Sequence, residues 1–326
     1  MKILIFGFNK NVVKLIELLI DAKYDVLGIV PSIEQETFTY AENHKYGLEQ
    51  KTIPLFKTKN INDPNFIKTI QNLNCELYVN WGHSQIFSEE LLNSSKLGCI
   101  NLHRGLLPDA RGFDPIFGER VNGITTLGQT IHFMSTKIDQ GKIINQRKFE
   151  IEKNLYRDEV DKIFQNNIVE FYFDSIKKIS NNDNLTTVDS FGKYYPKYAD
   201  GDEIINWHES SELILSKIKS LSPYKTHIAF LSKTYEPIHI IKAEKSEIEN
   251  YYSTFGQILD KDPKRGNLVK TADNAIWINE IIFHDEKTIP IFPIGTTFVS
   301  NWLHEFMRLE NRLSNLEKKL NLQEKN

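Results

Sequence analysis

The chain has 326 residues, 40% of them hydrophobic and 25% charged, the composition of a soluble globular protein long enough for two domains. Its 40 basic and 43 acidic residues are fairly evenly mixed and leave a net charge of −3, so nothing in the total marks a nucleic-acid or anionic-membrane binder. Cys75 and Cys99 each open an apolar run and read as buried thiols, no apolar run approaches the roughly 18 residues of a membrane span, and "ILIFGF" is too short for a signal sequence, so the expected location is cytoplasmic.

"KILIFGF" (2–8) predicts a first strand. "NVVKLIELLIDAKY" then puts Val12, Val13, Leu15, Ile16, Leu19 and Ile20 on one helical face, and "DVLGIVPS" returns as a second strand. Strand, helix, strand within about 30 residues is a βαβ unit and implies a parallel sheet. "TIPLF" (52–56), "CELYVNWG" (75–82) and "GCINLH" (98–103) add short strands, with helix starts at "NDPNFIKTIQNL" and "SEELLNSSKL" between them. Residues 125–151 break the alternation as two extended segments around an Ile-Asp-Gln-Gly turn, and 156–179 predict one long amphipathic helix. The polar, turn-rich stretch 180–204 holds the joint between domains. After a helix closed by Pro223, the segments "HIAFL", "HIIKA", "GQILDKD" and "NLVKTADNAIWINEII" predict a small β-barrel or sandwich. Phe306, Leu309, Leu313, Leu316 and Leu320 form a heptad-like stripe, read as a terminal helix packed on its own domain. The fold expected is therefore α/β: a Rossmann-like domain with a parallel-rich sheet over 1–190, a linker at 191–207, a smaller β-rich, OB-like domain over 208–300 and a helical tail over 301–326.

The first βα turn, "GFNKNVVK", lacks the G-x-G-x-x-G spacing of a dinucleotide site, and the chain carries no Walker-type loop, zinc spacing or G-x-S-x-G elbow. What remains is "CINLHRGLLPDARGFDPIFG" (99–118). Asn101 and His103 stand two apart at a strand end, so they point the same way, where open α/β sheets place ligands. Asp139 lies in the turn "KIDQG", beyond His132. An amide, an imidazole and a carboxylate can together polarise a carbonyl, stabilise its oxyanion and accept a proton. Taken one at a time, a strand-end histidine and an Asp before a turn also have purely structural readings.

The pattern N-L-H-x-G-L-L-P-x-x-R-G, followed by T-x-H-x-x-x-x-x-x-D-x-G-x-I, resembles the folate-dependent formyltransferases, most of all the sugar-nucleotide N-formyltransferases. "YVNWGHSQIFSEELLNSSKLGCIN" resembles that family's strand, pterin-binding loop and helix, and "YYPKYADGDEIINW" with "IKSLSPY" the joint to the C-terminal domain of its longer members. The resemblance implies N10-formyltetrahydrofolate as donor, a primary amine as acceptor and no metal. It implies that Asn101 and His103 polarise the formyl oxygen and that Asp139 orients His103 and assists proton removal. His83, Gln85, Ile86 and Phe87 would line the pterin site largely through backbone groups, with Trp81 nearby and Asp139 at its edge. Relatives commonly carry Ser where Gly105 stands, so Arg104 and Gly105, with Arg111 and Phe113, become candidates for acceptor binding.

In the tRNA-formylating branch a basic loop after the second strand grips the acceptor stem. The corresponding segment here carries Glu34, Glu36, Glu42 and Glu49 against Lys45, and such a loop would repel a phosphate strand. A nucleotide-linked amino sugar, such as a dTDP-amino sugar destined for surface polysaccharide (O-antigen or lipopolysaccharide), is therefore the expected acceptor, with no nucleic-acid or membrane partner. The alternatives are a methionyl-tRNA formyltransferase and a non-catalytic folate-binding relative, and a homodimer is left open.

Overall fold

In the computed structural model the described residues are 1–32, 53–187, 192–199, 201–248, 252–300 and 313. The acidic stretch from Glu34 to Glu49 and, Leu313 apart, the leucine-striped tail lie outside them.

The first apolar run forms β1, Lys2–Phe6, and alternation splits it between two faces. Ile3 and Ile5 join one core cluster, Leu4 and Phe6 the other. Asn9 opens α1, Lys10–Asp21, by accepting from the amides of Asn11 and Val12. The helix buries Val12, Val13, Leu15, Ile16 and Leu19, the stripe its period predicts, and the chain returns as β2, Asp25–Val30, parallel to β1. Gly7, at φ +95, makes the tight turn after β1. A Cβ there would stand 2.2 Å from the Trp81 carbonyl oxygen, so glycine serves packing rather than a phosphate.

The chain continues through α2, Pro64–Gln71; β3, Leu77–Asn80; a single turn α3, Glu89–Leu92; β4, Cys99–His103; β5, Ala110–Gly112; and α4, Pro115–Val121. A hairpin of β6, Thr126–Phe133, and β7, Ile143–Glu150, is followed by α5, Arg157–Gln165, α6, Ile168–Ser180, and β8, Lys193–Tyr195. The main sheet runs β2-β1-β3-β4-β6-β7. Its first four strands are parallel, and β6 and β7 are antiparallel. β5 and β8 pair separately, in parallel.

Three local expectations change. "TIPLF" supplies only an isolated bridge from Leu55 to Ile29, and "SEELLNSSKL" yields one helical turn. The helix expected over 156–179 breaks at Asn167, whose φ of +50 suits asparagine better than most side chains. Arg147 takes up the carbonyls this break exposes, donating to Phe164 O and Asn166 O, both at 2.7 Å.

The chain divides into two compact units. One comprises Met1–Glu119, Ile124–Ile151 and Asp161–Lys197, the other Arg120–Gly123, Glu152–Val160 and Tyr198–Asn326. In the second, Ser210 caps α7, Ser211–Leu221. The strands β9, His227–Leu231, β10, Pro237–Lys245, β11, Ile258–Asp262, β12, Gly266–Lys270, β13, Ala275–Phe283, β14, Glu286–Thr288, and β15, Phe298–Val299, form one antiparallel half-barrel. Its strand order is β11-β12-β13-β10-β9-β15, with β14 on β13. Ile214 and Ile218 of α7 pack in its core with Trp207, Ile240, Ile278 and Phe298. Among the described residues no helix is long and apolar enough to cross a membrane.

Candidate active site

Asn80 ends β3 beside Asn101 of β4, its partner in register. The Asn80 side-chain oxygen accepts from the His83 backbone N–H at 3.0 Å, which fixes which end of the amide points where. Its Nδ2 therefore donates to Asn101 Oδ1, also at 3.0 Å, and the Asn101 Nδ2 is left to donate toward the site. The hydroxyl of Tyr172, fully buried, donates to the Asn80 carbonyl at 2.6 Å and pins the strand end.

Two residues on, His103 is 6% exposed and its Nε2 lies 2.7 Å from the Ala110 carbonyl oxygen. A carbonyl can only accept, so Nε2 carries a proton and Nδ1 is the ring nitrogen left for another partner. That atom faces Asp139 Oδ2 at 3.5 Å. His132, on β6 opposite Asn101, mirrors the arrangement. Its Nδ1 sits 2.8 Å from the Phe133 carbonyl oxygen, and its Nε2 faces Asp139 Oδ1 at 3.6 Å. Burial pushes the His103 pKa below the usual imidazole value against the pull of Asp139 and of the Ala110 bond. It pushes His132 down to about 4, with Asp139 opposing and His103 adding.

Asp139 itself is held by turn geometry. Its φ is +55, Gly141 follows where a Cβ would meet the Phe133 oxygen at 1.6 Å, and Oδ2 accepts from the Gly112 amide at 2.9 Å. The site thus combines one fixed neutral donor, Asn101, with a carboxylate flanked by two imidazole nitrogens. That set can stabilise a developing oxyanion and receive a proton.

The loop after β3 forms one wall. Gln85 is tied to the Ile61 amide at 2.9 Å and the Lys59 carbonyl at 2.8 Å, and Phe87 packs on Phe6 with ring centres 4.9 Å apart. Ile86 is left 79% exposed, an apolar side chain turned out of a rigid loop. A flat heterocycle such as a pterin fits that kind of wall, with backbone groups for its polar edge.

On the other side, β5 carries the Gly112 whose amide donates to Asp139, and Arg111 and Phe113 are its chain neighbours. Phe113 is 67% exposed with the Lys197 ammonium 5.5 Å from its ring centre, and the Arg111 guanidinium lies 5.9 Å from the ring of Tyr194, its register partner on β8.

Formyl transferase sequences match residues 1–176, and the formyl transferase C-terminal domain matches residues 197–293. The chain belongs to the formyl transferase family. It is 27% identical over 297 residues to the methionyl-tRNA formyltransferase of Syntrophomonas wolfei, covering 89% of this chain and 93% of that one. It is 30% identical over 272 residues to the bifunctional polymyxin resistance protein ArnA of Wigglesworthia glossinidia brevipalpis, covering 81% of this chain and 40% of that one. Among solved structures, the sugar 3N-formyl transferase WlaRD, determined with dTDP and 5-N-formyl-THF, superposes with a TM-score of 0.60 at 19% identity, covering 85% of this chain and 96% of that one. That last likeness speaks to the fold.

Within this formyl transferase, the three residues singled out for chemistry converge. Others from the sequence reading are held by contacts within the chain. Trp81 is 7% exposed and stacks on Tyr172 at 4.8 Å between ring centres, within the core. Arg104 is ion-paired to Asp161 and lies 5.5 Å from the Phe164 ring centre, so its charge is answered within the chain. Gly105 is buried against Ala110 and His103 and offers an acceptor nothing to bind. The sequence reading missed Asn80. A polar residue ending an apolar strand, level with the active Asn101, was the available signal.

Proposed function

We propose that this formyl transferase moves a formyl group from N10-formyltetrahydrofolate to the primary amine of a nucleotide-linked amino sugar. The observation that carries the transfer is the fixed Asn101 donor beside the His103–Asp139 pair. Asn101 donates to the formyl oxygen as that oxygen takes up negative charge. The His103–Asp139 pair accepts the amine proton as nitrogen attacks and returns it to the departing nitrogen. With its Nε2–H committed to Ala110, His103 donates toward the formyl group only once a proton has entered at Nδ1. The 83–87 loop, with Ile86 outward, supports the pterin end of the donor.

For the acceptor, two exposed aromatic rings have cations beside them, Phe113 next to the Gly112 that donates to Asp139 and Tyr194 on the paired strand β8, a combination suited to a stacked base and a diphosphate. The sugar formyl transferase WlaRD, determined in the presence of dTDP, and the acidic 34–49 stretch support the same reading. The second reading, transfer to methionyl-tRNA, is favoured by the Syntrophomonas wolfei relative, matched over 93% of its length. Incubation with N10-formyltetrahydrofolate and a panel of nucleotide-linked amino sugars or Met-tRNA, read by gain of one formyl mass, tests the choice. A formylated sugar nucleotide is expected, and tRNA as the sole product overturns the reading.

A further inference from the structure

A cavity of about 550 Å³ opens within the second unit, and none of its lining residues belongs to the formyl-transfer site. Its walls come from the turn before Tyr156, from α7, from the end of β10 and from the loop between β12 and β13. Lys153, Lys219 and Lys245 line it, with Glu212 and Asp273. Both carboxylates are engaged. Glu212 pairs with Lys153 at 2.6 Å, and Asp273 accepts from the Ser211 amide at 2.7 Å and from the Ser211 and Thr271 hydroxyls. Among the described residues no carboxylate forms an ion pair with Lys219 or Lys245. Lys219 is half-buried, and a second cation stands beside it. Arg120, 5% exposed, donates to the Lys219 carbonyl at 3.1 Å and to that of Leu155, while its own carbonyl accepts from the Ser216 hydroxyl at 3.2 Å. These bonds tie the turn to α7, but carbonyls leave the positive charge uncancelled. Burial and then Arg157 lower Arg120 to about 10, burial and then Arg120 lower Lys219, and Glu159 opposes both. Like charges withdrawn from water repel, and an anion seated against Lys219 relieves that repulsion. No aromatic ring lines the cavity, so it offers a nucleobase nothing to stack on, whereas phosphate oxygens accept several N–H donors at once.

We propose that this cavity is a second binding site, for a small phosphate-bearing anion that carries no base, held by Lys219 and Lys245. Inorganic pyrophosphate and a sugar phosphate share that chemistry. The proposal does not rest on the formyl-transfer reading.

Acetic anhydride labelling of the full chain, read lysine by lysine by mass spectrometry, tests it with inorganic pyrophosphate, glucose 6-phosphate and tRNA in separate arms. At saturating probe, labelling of Lys219 and Lys245 is expected to slow about threefold or more in the pyrophosphate or the sugar-phosphate arm, with Lys14 and Lys68 unchanged. The stronger of those two arms tells the free anion from the ester. No slowing in either of them overturns the proposal, as does slowing spread equally over Lys14 and Lys68, or slowing produced by tRNA alone. In Lys219→Gln the probe concentration that half-protects Lys245 is expected to rise about tenfold or more. An unchanged concentration in the folded variant also overturns the proposal, and if the variant fails to fold the wild-type labelling decides alone.

Discussion

Gly105→Ala tests whether the loop after β4 is built around the histidine or around the acceptor. A Cβ on Gly105 would stand 2.4 Å from the Ala110 oxygen, 2.8 Å from His103 Nε2 and 3.1 Å from the Pro115 Cβ. The first two atoms are the two ends of the hydrogen bond that sets the His103 tautomer. The backbone has little freedom to retreat. Gly105 O accepts from Thr130 Oγ1 at 2.7 Å, and Thr130 Oγ1 accepts in turn from the Leu107 amide at 3.1 Å and from Gln146 Nε2 at 3.0 Å. Opening 2.4 Å to an ordinary contact needs a shift of about 1 Å, and displacement of a catalytic group on that scale lowers kcat about a hundredfold. Overpacking of this kind lowers stability by about 1–3 kcal/mol, so the variant stays measurable. The assay is steady-state formyl transfer with urea unfolding on the same preparation. A large loss in kcat with little change in the acceptor KM is expected. A wild-type kcat, or a change confined to the acceptor KM, refutes the packing argument and restores Gly105 as a specificity position. Relatives carry Ser here, yet Gly105→Ser is expected to be worse than wild type, because the clash is at Cβ.

Asn101→Ala removes the one fixed donor and is expected to lower kcat about a hundredfold to a thousandfold, with folate binding by fluorescence titration little changed. Asn80→Asp keeps the bond from the His83 amide but loses the N–H that orients Asn101. The Asn101 amide is then free to turn its oxygen toward the site, and kcat is expected to fall about tenfold or more while Asn101 itself is untouched. Phe113→Ala and Lys197→Ala are each expected to raise the acceptor KM about tenfold, a loss of roughly 1.4 kcal/mol of binding, and an unchanged KM in both moves the acceptor elsewhere. His227, fully buried, is pushed from 6.5 down to about 3 by burial and then by Lys217. The unfolded chain therefore takes up this proton first on acidification. The stability His227 allows is whole above about pH 6.5 and falls by about 1.4 kcal/mol per pH unit toward pH 3, a slope that urea titrations should find shallower in His227→Leu.

The shared direction of Asn101 and His103 was legible because strand alternation is local and holds whatever packs around them. The same holds for α1, whose cap and apolar stripe lie within a dozen residues. What escaped was long-range. Trp81 looked available beside the pterin loop until Tyr172, on a helix 91 positions later, stacked on it. Arg104 looked like a cation for a phosphate, but its partner Asp161 lies 57 positions away. The helix break at Asn167 follows from the same distance effect, since its carbonyls are answered by Arg147 on another element. Asn80 escaped for a different reason: the apolar run around it read as strand, and its role exists only through the strand beside it.

The polarity of the site is set by main-chain atoms. Asn101 points its N–H inward because a backbone N–H, that of His83, orients Asn80. His103 turns Nδ1 and His132 turns Nε2 toward Asp139 because two backbone carbonyls, of Ala110 and Phe133, hold the opposite ring nitrogens. These anchors cannot change protonation state, so the division into a donor side and an acceptor side persists across the pH range in which the rings stay neutral. Electrostatic stabilisation is effective when its dipoles are already oriented before charge develops. Here the orientation is fixed by folding, which explains why the loop from Gly105 to Gly112 is packed so tightly against β4 and β6. Loosening that loop would cost the site its proton inventory before it cost the domain its fold.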